Sequence, residues 1–305
     1  MAMSIGMEYR QEKLKTCLME NERVLESCSF NDAASALAYL KHTCAIYPEP
    51  IIAIASGLDT RLAPLHSQSS NPTAFNDLLR AIGSTDFHSY NLPSVWLLPG
   101  IPVHRKCLRL EMGTSDKLCA VTTLLYRMRR REASWQEMRF LYLDVNHTSW
   151  SILVVEDGCI VNGISEIAGN HAADRWELIN QDTSLASTEK ETIAEQAFWE
   201  GLTYDLAGLM AIHHLEDVVA IGPRKDTVIA RLQDSYQFYH FPHSEYEQEG
   251  FEAAIGAALI AEGLYRPGLA AEVVERLQLP QTEKKKIKNI QHPAPPDAEY
   301  FLSSY

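Results

Sequence analysis

Apolar and polar positions alternate near the start of the chain. Between residues 4 and 30, Leu14, Cys17 and Leu18 are followed by Glu20, Asn21 and Glu22, and apolar residues resume at Val24 and Leu25. This predicts two strands joined by a tight turn. The pattern returns more strongly over 140–164, where Phe140 to Asp144 leads into Trp150 to Val155, a turn at Glu156, Asp157 and Gly158, and Cys159 to Val161. A shift of 136 positions, the distance from Glu8 to Asp144, lays Asn21 on Asp157, Leu18 on Val154 and Val24 on Ile160. The shared offset predicts a duplicated unit, each copy opening on a hairpin.

Helical and strand patterns follow each hairpin in a similar order. After the first come helices over 32–41, 74–82 and 115–131, with buried-type strands at 50–55 and 94–98. After the second come helices over 188–214, 227–234 and 251–264, with strands at 217–221 and 236–241. Both halves therefore read as α/β. The expected units are residues 1–134 and 135–280, divided where a basic helix end meets a polar stretch near 130–138. Residues 281–305 carry Pro293, Pro295 and Pro296 and read as an extended arm, with an aromatic end that docks on the body or on a second subunit.

Composition narrows the function. The 305 residues are 46% apolar and 22% charged, which excludes a disordered chain. A net charge of −13 repels nucleic acid and anionic membranes, and neither is an expected partner. The basic runs at 127–131 and 284–288 read as solvated faces. Cysteines 17, 28, 44, 107, 119 and 159 show no C-x-x-C pair, the usage of a reduced, cytoplasmic protein. No apolar run approaches the ~18 residues needed to span a bilayer, and the N-terminus lacks an apolar leader core. His213, His214, His240 and His243 lack an identifiable third ligand for a metal, and no G-x-S-x-G elbow occurs.

The candidate chemistry lies at a helix start. Gly113 and Thr114 precede a helix whose first turn holds Ser115, so free N–H groups and the positive end of the helix dipole would face an anion. Lys117 would add a cation, and Asp116 a carboxylate to orient an acceptor. A plain helix cap explains the same residues equally well.

Two halves that each open on a hairpin, with an acid at the end of the first strand, resemble the duplicated actin-like (ribonuclease H-like) ATPase fold of acetate kinases, sugar kinases and Hsp70. The segment from Arg105 to Cys119, with its Gly-Thr-Ser-Asp-Lys core, is similar to the signature of a prokaryotic family of predicted butyrate kinases. Ala55 to Asp59 with Pro64 and Leu65, and the helix Phe251 to Gly263, are similar to further segments of that family, and the likeness extends over residues 4–265.

The resemblance implies a two-domain protein with a cleft that takes ATP and Mg2+ and transfers phosphate to a small carboxylic acid. It implies that Glu8 and Asp144 hold the metal, and that Asp116, Lys117 and Asp144 are catalytic. Asn146, Thr148 and Ser149 would hold phosphates, Gly113 to Ser115 the acceptor or γ-phosphate, and Gly222 and Arg224 the adenosine side. One departure supports another class. Kinases of this fold present Asp-x-Gly-Thr at the first hairpin, where this chain has Glu8, Tyr9, Arg10 and Gln11, and Asn146 replaces a glycine in the second loop. A degenerate, non-catalytic member would serve as a binding or regulatory subunit. A small-molecule acid or a protein is then the partner, in a homodimer or hetero-oligomer.

Overall fold

A computed structural model describes residues 3–10, 13–47, 50–55, 63–64, 74–85, 87–109, 111–165, 186–243 and 248–282. The first sheet runs in the order β3-β2-β1-β4-β6-β5, from β1 (Met3–Arg10), β2 (Lys13–Glu20), β3 (Arg23–Phe30), β4 (Ile51–Ala55), β5 (Ala63–Pro64) and β6 (His88–Asn91). The second runs β11-β10-β7-β8-β9, from β7 (Phe140–Val145), β8 (Trp150–Glu156), β9 (Cys159–Ile164), β10 (Asp217–Ile221) and β11 (Gln237–His240). Each sheet is a three-strand antiparallel meander whose first strand then pairs in parallel with the next, β1 with β4 and β7 with β10.

The duplication reaches into the backbone. Glu8 lies opposite Lys15 as Asp144 lies opposite Ser151, and the second strand of each meander carries a register shift at matching places, Leu18/Met19 and Val154/Val155. The second turn of each meander places two residues at positive φ, Asn21 (48°) and Glu22 (61°) in one and Asp157 (51°) and Gly158 (73°) in the other. That is the geometry of the tight hairpin turn whose twist matches the flanking strands.

Strand alternation sorts each sheet into an outer and an inner face. Met3, Ile5, Met7, Leu14 and Leu18 are buried on the outside of the first sheet with Ala36 and Leu40 of α1 (Ala33–Ile46) and Leu78 and Ile82 of α2 (Ala74–Gly83). Leu141, Leu143, Ile152 and Val154 do the same on the second, with Phe198, Leu202 and Leu206 of a long helix, Ser187–His213, and Val228 of a short one, Lys225–Leu232. The inner faces share one core. It joins Cys17, Met19, Ala53 and Ala55 to Phe140, Tyr142, Leu153 and Val155 through two helices, Ser115–Arg130 and Glu252–Tyr265.

In chain order, α3 is Val103–Leu108, α4 Ser115–Arg130, α5 Ser187–His213, α6 Lys225–Leu232, α7 Glu252–Tyr265 and α8 Leu269–Arg276. Helix α7 follows the second sheet in sequence yet lies on the first. It packs so closely that a Cβ at Gly6 of β1 would fall 1.9 Å from the Ala254 carbonyl oxygen, and one at Gly256 would fall 1.8 Å from that of Cys119. A division near residue 134 thus separates the two sheets but not the helices that cover them.

The strand expected at 94–98 is instead a single 3-10 turn, Val95–Leu97. Pro93 and Pro99 bracket the run, and the Val95 N–H donates to the Gly113 carbonyl at 2.9 Å, so its apolar residues fill the core without joining a ladder. The strand of this region is β6, a little earlier. The opening segment holds three strands where two were expected, and the short helices α3 and α8 add to the expected elements. Residues 56–59, Leu65, the basic run 284–288 and the arm beyond 282 lie outside the described residues.

Candidate functional site

On β1 the outward positions are Met3, Ile5 and Met7, so Ser4, Gly6, Glu8 and Arg10 take the inner face. The same alternation turns Tyr142 and Asp144 of β7 inward. The two strand ends meet at a cavity of about 390 Å³ whose lining includes Glu8, Arg10, Asp116, Tyr142 and Asp144.

Four charged groups interlock here, of which Arg10, Asp116 and Asp144 line the cavity and Lys117 lies behind them. The Lys117 ammonium, in the first turn of α4, lies 2.6 Å from Asp144 Oδ2 and 3.0 Å from Asp116 Oδ2. Arg10 Nη1 donates to Asp144 Oδ2 at 2.8 Å, and its Nε lies 3.9 Å from Asp116 Oδ2. The Thr114 hydroxyl donates to Asp116 Oδ1. The Lys117 and Asp144 side chains are 3% and 1% exposed, whereas Arg10 is 26% exposed on the cavity side. Two carboxylates and two cations balance, as they must where ions are taken out of water.

The proton affinities follow from the same contacts. Burial pushes the Asp116 carboxyl up, but Lys117, Arg10 and the Thr114 hydroxyl outweigh it and bring its pKa down to about 2. Asp144 is held below the ordinary carboxylate value in the same way, burial being overcome by Lys117 and Arg10. At Glu8 burial wins instead. Burial raises its pKa to about 7, against the pull of Lys15, 4.0 Å away. Glu8 Oε2, Asp144 Oδ1 and the Tyr142 hydroxyl are buried and have no hydrogen-bond partner among the described residues.

These groups do not fit the divalent cation that the resemblance implies. Asp144 Oδ2 already receives two cations, burial favours the protonated form of Glu8, and a hard metal wants several ionised or carbonyl oxygens together. Among the described residues no group of three His, Cys, Asp or Glu side chains is placed to hold a metal ion.

The other expected residues divide. Asn146 lines the cavity, and its N–H closes the β7–β8 loop on the Ser149 carbonyl at 2.8 Å. Thr148 is exposed and Ser149 half-buried, and neither lines the cavity. Gly113, Thr114 and Ser115 also stay off it; Gly113 (φ 131°) packs under Leu153 and Val95 instead, and Ser115 is fully buried. Gly222 (φ 97°) does line it. A Cβ there would fall 2.3 Å from the Val145 carbonyl oxygen and 3.0 Å from Asp144 Oδ1, so only glycine lets the β10–α6 turn pass this carboxylate. Arg224 turns away. Its guanidinium lies 4.2 Å over the Phe198 ring and 5.2 Å over that of Trp199, and donates to the His147 carbonyl at 2.9 Å and to Glu195 at 2.7 Å.

Sequence reasoning missed Lys13, Lys15, Lys225, Glu249 and Glu252, which also line the cavity. Lys15 donates to the Gly250 carbonyl, and Lys225 pairs with Glu249. The available signal was periodicity, since Lys15 shares the face of Cys17 and Met19 on β2. A cation in an otherwise apolar alternation marks either an edge or a site.

The family model described as "Protein of unknown function (DUF1464)" matches residues 53–292. The chain belongs to this family. No curated protein sequence matches the DUF1464 chain. Among solved structures it is similar to the acetate kinase of Entamoeba histolytica, at 9% identity and a TM-score of 0.50, over 76% of this chain and 87% of that one. Also similar are a ROK family glucokinase from Streptomyces griseus in complex with glucose and AMPPNP (9% identity, TM-score 0.46, 84% and 98% covered) and the activator of the 2-hydroxyisocaproyl-CoA dehydratase from Clostridium difficile with bound ADPNP (10%, 0.42, 95% and 100%). With the repeated strand order, the acetate kinase likeness shows the duplicated actin-like ATPase fold. No helix among the described residues is long and apolar enough to cross a membrane.

Proposed function

We propose that this DUF1464 chain is an ATP-dependent phosphotransferase that works in the cleft between its two sheets and uses a small carboxylic acid as acceptor. The observation that carries the reading is the convergence of Asp116 and Asp144, from the start of α4 and the end of β7, at the wall of a cavity between duplicated halves, with Lys117 joining them from behind. The acetate kinase likeness supports a fold able to host such chemistry.

The charges support the acceptor class. Phosphoryl transfer is helped chiefly by positioning and by cations that face the transferring group. Arg10 offers that charge from the cavity wall, with Lys117 held behind it on the carboxylates. Asp116 and Asp144 hold their protons too weakly to act as strong bases. A carboxylate acceptor needs none, because its oxygen attacks phosphorus without losing a proton. Lys13, Lys15 and Lys225 would screen its charge against that of the nucleotide.

The test is trapping of an acyl phosphate with hydroxylamine, using ATP and acetate, propionate or butyrate. ATP-dependent hydroxamate supports the reading; ATP binding with no product from any acid removes the carboxylate acceptor. A second reading is favoured by the 2.8 Å Arg10–Asp144 pair, which fills the place of a phosphate-loop glycine. In it the protein is a non-catalytic subunit, ATP binds more weakly than about 1 mM, and Arg10→Gly with Asn146→Gly raises the affinity.

A further inference from the structure

We infer that Arg10 and Lys117 occupy the place of a divalent cation in this cleft, so that a phosphate-bearing ligand is met by built-in positive charge and no metal enters. The ligand half of the inference rests on the reading of the cleft as an ATP site. The metal half rests on geometry alone.

Asp144 Oδ2 is approached by Lys117 Nζ at 2.6 Å and by Arg10 Nη1 at 2.8 Å. Two unit charges thus sit against one carboxylate oxygen, the charge that a divalent ion would bring. Asp116 faces the same two cations, through Lys117 at 3.0 Å and Arg10 at 3.9 Å. A metal bound through Asp144 Oδ2 would have to displace one or both of them.

Lys117 cannot leave. Its side chain is 3% exposed in the first turn of α4, and stripping a buried ammonium of its partners is strongly unfavourable. Arg10 is more open, yet its replacement by a divalent ion would set three positive charges, one of them that of Lys117, against the two aspartates. The residue that excludes the metal is therefore Arg10, at a position where kinases of this fold carry glycine. It is also the cation of the quartet that lines the cavity, beside Asp116 and Asp144, so an incoming phosphate meets its planar fork of donors.

Electron paramagnetic resonance of Mn2+ added to the full chain, without nucleotide, reads the metal half. The unmodified protein and Arg10→Lys, which keeps the charge, should bind no Mn2+ below about 1 mM, and Arg10→Gln should bind it at least about tenfold more tightly. Calorimetry with ATP, in EDTA and then in excess Mg2+, reads the ligand half. Affinity should agree within about twofold for the unmodified chain and become metal-dependent in Arg10→Gln.

Mn2+ bound by the unmodified protein at tens of micromolar, or ATP affinity raised about tenfold by Mg2+, overturns the inference. If ATP binds in neither condition while Mn2+ still enters only Arg10→Gln, the ATP reading and the ligand half fall and the metal replacement stands. Circular dichroism of both variants separates a vacated site from a lost fold.

Discussion

The Lys117 ammonium and the Asp144 carboxylate lie 2.6 Å apart, both nearly sealed from solvent, and they tie the start of α4 to the end of β7. A helix before the second sheet and a strand within it are thereby held by one ion pair. Removing one partner leaves an uncompensated buried charge, so Lys117→Met should cost about 3–5 kcal/mol of stability. Adding Asp144→Asn to that variant should return part of the loss. Urea unfolding of the two variants and the unmodified chain checks this; equal loss in single and double variants would mean that the pair is not coupled.

Glu8 gives stability a pH dependence. Its pKa is about 7 in the folded protein against 4.5 for the ordinary group, so between those values the folded state holds the proton more tightly than the unfolded one. Stability from this group therefore falls as pH rises through the window, by at most about 3 kcal/mol. Glu8→Gln should flatten that slope and stabilise the protein more at pH 8 than at pH 5. Denaturation midpoints at the two pH values decide, and an unchanged difference would remove Glu8 as the source.

Asp144→Asn separates binding from turnover. Neutralising this carboxylate leaves Arg10 and Lys117 with only Asp116 to balance them, which favours an anion in the cavity. ATP affinity should rise by about tenfold, roughly 1.4 kcal/mol, while any phosphate transfer slows because Arg10 and Lys117 lose their shared anchor. Calorimetry alongside the hydroxamate assay measures both, and weaker binding would show that Asp144 contacts the ligand favourably.

Two glycines give opposite results when a methyl group is added. Gly6→Ala drives a Cβ into the backbone of α7 and should lower stability by about 2 kcal/mol or more. Gly208, within α5, has nothing within 4 Å of its Cβ position, so Gly208→Ala should be neutral or stabilise by up to about 1 kcal/mol. Thermal unfolding of the two variants reads the contrast.

The repeat was legible because register and turns are written locally, in alternation and in Asn21 and Asp157. The run at 94–98 misled because four apolar residues in a row, Val95 to Leu98, carry no period that separates a strand from a buried turn. Asp116, Lys117 and Asp144 were found because acids and bases at element ends mark chemistry. The pairing of Lys117 with Asp116 and Asp144 was not found, since it depends on a fold that brings the start of α4 and the end of β7 to one point. Gly222 was expected on the adenosine side of the cleft; it lines the cavity, and that it also lets the chain pass a carboxylate is something only three-dimensional contact can tell.

The lid that α7 forms on the first sheet has a consequence for biosynthesis. Ser4, Gly6 and the rest of the inner face of β1 leave the ribosome well over two hundred residues before the helix that covers them, which begins at Glu252. At usual elongation rates the wait is about 10–50 s, during which this face stays bare to other nascent chains. The amino-terminal half released alone, ending near residue 134, should therefore aggregate, and recovery should require the segment around α7 supplied in trans.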